Sequence, residues 1–285
     1  MTVSAQLVNL TDKSEVKLVE AVAGILPSGQ AEFIKSCTDL IKEANAPDLI
    51  RKLLEKREAI LGMDRTEDIE GCFGILFSLL HKTENPKVDM PILSMEISNK
   101  LLETVDGRSS LRLRLVTNLY NMLPVQSTSQ LDVCMSVIRY AHQAKLMGML
   151  TTFFAGADEW IKGWDLSVQD QRRLFLLISE TLGEEGKGDE SQKFLMKYLV
   201  SFDGEPAEEL AKVKAAAVKG CIGAVKAPIV SFTEQHNLLG MDAVAQLQRD
   251  PQFAAVYELL HIFSVEKLSA YMEFHKARHF YHALP

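Results

Sequence analysis

His275, His279 and His282 recur at i, i+4 and i+7. That spacing would place three imidazoles on one helical face, where they could hold a zinc ion. No Glu completes an HExxH arrangement, and the rings of Phe274, Phe280 and Tyr281 crowd the same stretch, so packing explains these histidines better than ligation. The run from Gly183 to Asp189 (GEEGKGD) imitates a phosphate loop, but it lacks the Gly-Lys-Ser/Thr order and carries Glu184 and Glu185, which would repel a phosphate. It reads as a turn between helices. Cys37, Cys72, Cys134 and Cys221 lie far apart in apolar stretches, as small core residues of a reducing compartment do, and they form neither a CxxC site nor a disulfide framework. No Ser-His-Asp, Cys-His or paired-carboxylate arrangement can be assigned from spacing. The expectation is a protein that is not an enzyme and takes no metal or cofactor.

Binding chemistry is better represented. Lys212, Lys219 and Lys226 repeat every seven residues beside Ala215, Ala216, Ala217, Gly220 and Gly223. On one helix they would form a basic stripe opposite a small-residue face, able to touch RNA or an acidic partner, although a solvated face is the commoner outcome. Arg108, Arg112 and Arg114 cluster at the start of a helix, the end that the helix dipole makes less hospitable to cations. Ion pairs to a neighbouring helix are the favoured reading. The chain as a whole carries 31 Lys+Arg against 38 Asp+Glu, a formal net charge of −7. Indiscriminate attraction to a phosphate backbone is therefore excluded, and any nucleic-acid contact must be local.

The elements that would position these residues are helices. Apolar residues recur at helical spacing almost throughout, as in Leu111, Leu115, Leu119 and Leu123, or Leu174, Ile178 and Leu182. Period-2 alternation is scarce, so the fold class is all-α. Short breakers punctuate the chain at Pro27-Ser28-Gly29, Ala46-Pro47, Asn85-Pro86, Asp106-Gly107, Pro124, Gly183 to Gly188, Gly204 to Pro206 and Asp250-Pro251. Helices joined by turns this short pack as antiparallel hairpins, and two helices with their turns fill roughly the 34–47 residues of known helix-hairpin repeats. One hairpin is legible in detail. Trp160 and Trp164 form a stripe ending near Asp165, and Ser167 with Asp170 predicts a capping box. A helix near 168–182 follows, the glycines turn the chain, and Phe194, Leu195, Tyr198 and Leu199 face back. No basic and apolar leader follows Met1, and no apolar run approaches the ~20 residues that span a bilayer. A cytoplasmic protein without a membrane contact is expected.

The segments Ser110–Tyr120 (SLRLRLVTNLY), Trp160–Leu174 (WIKGWDLSVQDQRRL) and Val265–Phe274 (VEKLSAYMEF) resemble, in order and spacing, the family of m subunits of eukaryotic translation initiation factor 3. The resemblance covers the chain from about Leu101 onward, while the first hundred residues match in helical character. It implies a superhelical stack of helix hairpins, comparable to HEAT or tetratricopeptide repeats, leading into a PCI-type helical module. Residues 1–150 would be the N-terminal arm and 151–285 the helical part of the module, in one continuous solenoid. It also implies a non-catalytic scaffold whose partners are the other subunits of the factor and, through them, messenger RNA and the 40S ribosomal subunit. Subunits of the COP9 signalosome and the proteasome lid share the architecture and are the alternatives, together with an RNA-contacting helical-repeat protein. The resemblance further implies a winged helix after this point. Because the chain stops at Pro285, it resembles a shortened form, with weakened assembly and an exposed apolar face expected.

Overall fold

The computed structural model describes residues 14–125, 127–156, 161, 163–164, 166–226 and 238–278, and among these every regular element is a helix. The chain divides into two compact units, Met1–Asp165 and Leu166–Pro285. No described helix is long and apolar enough to cross a membrane.

In the first unit the helices are α1 (Ser14–Ile25), α2 (Gln30–Lys42), α3 (Ala46–Glu55), α4 (Arg57–Leu61), α5 (Thr66–Ser78), α6 (Pro86–Leu101), α7 (Ser109–Met122), α8 (Thr128–Gln143) and α9 (Thr151–Ala155). The breakers act where expected. Pro47 occupies the first turn of α3 and Pro86 opens α6, positions where the missing N–H has no intrahelical partner to lose. Asn45 caps α3 by accepting from the Asp48 amide at 3.2 Å, and Ser127 caps α8 by accepting from the Gln130 amide at 3.1 Å. At the other ends, Ala44 and Lys145 take positive φ values of 54° and 56°. Each lets the following amide reach back to close the helix, Asn45 to Leu40 and Leu146 to Ala141. Helices pack against chain neighbours and against helices two to four places on: α1 on α2 and α5, α3 on α6, α5 on α7, α6 on α8. Along this stack Leu18, Ile50, Leu53, Phe73, Leu115 and Ile138 are all excluded from solvent.

In the second unit the helices are α10 (Val168–Glu184), α11 (Gly188–Val200), α12 (Ala207–Lys212), α13 (Lys214–Lys226), α14 (Asp242–Ala245), α15 (Ala254–Val265) and α16 (Leu268–Arg278). The N-cap half of the expected capping box is present, with Ser167 accepting from the Asp170 amide at 3.1 Å, while its hydroxyl, in place of its backbone amide, donates to the Asp170 carboxylate at 2.7 Å. Helix α10 runs two residues beyond the expected end, and the glycine stretch is the turn to α11, with Gly188 already inside that helix. Phe194, Leu195 and Leu199 are buried and Tyr198 half-buried, as the hairpin reading requires. Trp160 and Asp165 lie outside the described residues; Trp164 is buried.

Candidate functional site

The three lysines do not share one helix. Val213 interrupts it, so Lys212 ends α12 while Lys219 and Lys226 lie on α13. Ala207–Lys212 is a separate short helix with no buried residue. Lys212 is ion-paired to Glu209 within its own helix. Lys219 and Lys226 are exposed, and neither forms an ion pair among the described residues. Seven residues of helix separate them by about 10.5 Å. The small residues beside them do what small residues permit. A Cβ added to Gly220 would stand 3.0 Å from both Leu199 and Met196, and one added to Gly223 would collide with Gln192 at 2.4 Å. Gln192 fills that space because its amide donates to the Gly220 carbonyl at 2.7 Å. The close approach of α11 and α13 thus fixes which edge of α13 carries Lys219 and Lys226 to solvent.

Of the arginines at the start of α7, Arg112 turns inward while Arg108 and Arg114 stay exposed. Arg112 is 1% exposed, and its guanidinium donates to Asp106 at 2.8 and 3.2 Å, to Glu58 at 2.9 Å and to the Leu101 carbonyl at 3.2 Å. Burial would push this guanidinium toward neutrality, but the bonds to Asp106 and Glu58 outweigh it and raise its pKa. The same bonds hold the Asp106 carboxyl below its ordinary range. Arg114 pairs with Glu70 of α5 at 2.6 Å, and Arg108 donates to the Met63 carbonyl at 3.3 Å. These residues therefore join helices inside the first unit.

A second buried arginine went unread in the sequence. Arg172, on α10 and 5% exposed, donates to the Ser201 hydroxyl at 3.2 Å, to the Ser201 carbonyl and to Glu205 at 2.7 Å, with its guanidinium 3.7 Å from the centre of the Phe202 ring. A signal was available, since Arg172, Phe175 and Ser179 follow the i, i+3, i+7 stripe of a buried face.

Burial holds the thiols and one tyrosine hydroxyl in their protonated forms. In the first unit a crevice of about 330 Å³ is lined by Leu113, Thr117, Tyr120, Cys134, Leu150 and Phe153. Burial raises the Tyr120 hydroxyl and the Cys134 thiol to about 12, so both stay protonated at neutral pH. Cys72 and Cys221 are pushed up to about 12 for the same reason. Of the three histidines, His275 packs its ring 6.0 Å from Tyr271 on α16, and His279 and His282 lie outside the described residues. On the hairpin of α15 and α16, Phe263, Val265, Leu268 and Met272 are exposed.

Comparison with known proteins gives a consistent answer across most of the chain. It is 28% identical to eukaryotic translation initiation factor 3 subunit M of Dictyostelium discoideum over 240 residues, which cover 82% of this chain and 58% of that relative. The protein of the same name from Pyricularia oryzae is 24% identical over 268 residues, 92% of this chain and 60% of the relative. That from Phaeosphaeria nodorum is 21% identical over 242 residues, 83% and 53%. A match of 268 residues necessarily reaches well into the first hundred, so kinship extends further toward the N-terminus than the segments from Leu101 onward indicate. The chain spans a little over half the length of the curated relatives it matches. No protein-family profile matches it.

Proposed function

Starting from this kinship with the m subunits of translation initiation factor 3, we propose that the chain is a non-catalytic scaffold of that factor, acting in the cytoplasm to support recruitment of messenger RNA and the 40S ribosomal subunit. The similarity over four-fifths or more of the chain to proteins that share one name carries the reading. The architecture is compatible with it. Stacked helices offer extended surface for partners, and the buried thiols of Cys72, Cys134 and Cys221 are held protonated. Affinity capture of the tagged chain from a eukaryotic lysate tests the proposal. Recovery of other factor 3 subunits is expected, whereas recovery of signalosome or proteasome-lid subunits in their place would overturn it.

A second reading, direct RNA contact, draws on the exposure of Lys219 and Lys226. Lys212, neutralised by Glu209, contributes less to it. Reversing Lys219 and Lys226 to Glu should remove most RNA cross-linking to the second unit, and reversing Lys212 alone should remove little. Cross-linking that survives the double reversal would exclude this edge.

A further inference from the structure

The turn from Ser201 to Pro206 is gripped from two sides. On one side stands the Arg172 cluster, whose hydrogen bonds all end at Ser201 and Glu205 and whose guanidinium covers the Phe202 ring. On the other side stands Asp242, the first residue of α14. Its carboxylate accepts from the Gly204 amide at 2.7 Å, while its own amide donates to the Asp203 carboxylate at 3.0 Å. The exchange is reciprocal, so each segment supplies one amide and one carboxylate. It also depends on the shape of the turn, because Gly204 has φ of +80°, a conformation that leaves its N–H pointing at Asp242 and that a residue with a Cβ rarely adopts.

We infer that this turn is a latch through which Arg172 on α10 holds Asp242 at the start of α14, although Arg172 makes no bond to that residue. Backbone bonds such as Glu205 N–H to the Phe202 carbonyl at 3.1 Å shape the turn, and the planar fork of Arg172 adds a tie between its two ends, Ser201 and Glu205, that steadies the Gly204 amide and the Asp203 carboxylate. Lysine cannot reproduce that grip, because an ammonium presents a single point of contact where the guanidinium bridges Ser201 and Glu205 at once. Nearby, Lys214 pairs with Asp250 at 2.7 Å, and Asp250 accepts from the Gln252 amide at 3.0 Å. That bracket touches neither Arg172 nor the turn, so it serves as an internal reference.

Amide hydrogen exchange on the full chain carrying Arg172→Lys tests the latch. Exchange should rise on the order of tenfold at Gly204 and also at Asp242, with Gln252 unchanged. Faster exchange at Gly204 with an unaltered Asp242 amide would overturn the inference, and so would equal acceleration at all three, which would report general loosening. Should Arg172→Lys fail to fold, Glu205→Gln weakens the same fork with the arginine in place. The same order, Gly204 and Asp242 together and Gln252 apart, is expected of it.

Discussion

Each unit contains a buried arginine, and the two work in different ways. Arg112 gathers three separate stretches: Glu58 comes from α4, Leu101 from the end of α6 and Asp106 from the loop before α7. Arg172 spends all its bonds on a single turn, Ser201 to Glu205. The first therefore cross-links the stack of its unit, while the second shapes one connection within its own. A buried guanidinium stabilises in proportion to what would be left unpaired without it, more than to how deeply it lies.

The comparison is broken most directly by Arg112→Ala. It vacates a site with almost no solvent access, orphans the Leu101 carbonyl and separates three stretches, at an expected cost of about 3 kcal/mol in chemical denaturation. Arg172→Ala should cost less, about 2 kcal/mol, since Glu205 and the Ser201 hydroxyl can turn to water, with the loss of the ring contact at Phe202 adding part of it. Equal costs would mean that burial alone sets the value of these residues.

Acid separates the two units further. Hydrogen bonds from Arg112 hold the folded pKa of Asp106 below its unfolded value. Its contribution is thus complete above the ordinary aspartate range, near about 3.9, and is lost as pH falls through the lower folded value. Asp106→Asn should lower stability at neutral pH and flatten the loss of stability below about pH 4. An unchanged acid slope would remove Asp106 from the account. The smallest effect belongs to Ser167→Ala, which uncaps the helix bearing Arg172 at a cost of about 1 kcal/mol in thermal unfolding.

How much of this was legible depended on whether the signal was local. The N-cap bond from Asp170 to Ser167, the prolines that open α3 and α6, and the stripe from Leu111 to Leu123 follow from steric and hydrogen-bonding rules that act within a few residues. The pairing of Arg112 and Arg114 with carboxylates of other helices was legible in kind, because cations at a helix start need carboxylates from elsewhere. Their identities, Glu58 and Glu70, required the stack. The break at Val213 was hidden, since seven-residue spacing alone cannot tell one helix from two short ones in succession. Arg172 was overlooked because a charged residue on an apolar stripe is easily taken for a solvated one, and its partners lie 29 and 33 residues away. The exposed Phe263, Val265, Leu268 and Met272 carry apolar periodicity no different from that of buried helices, so sequence pattern could not distinguish them.

Native mass spectrometry of translation initiation factor 3 assembled from purified subunits together with this chain tests the central claim most directly. The account predicts a complex heavier by one copy of the chain, with the chain lost only together with other subunits on partial dissociation. A chain that stays free beside the assembled factor, and joins signalosome or proteasome-lid subunits under the same conditions, would contradict it.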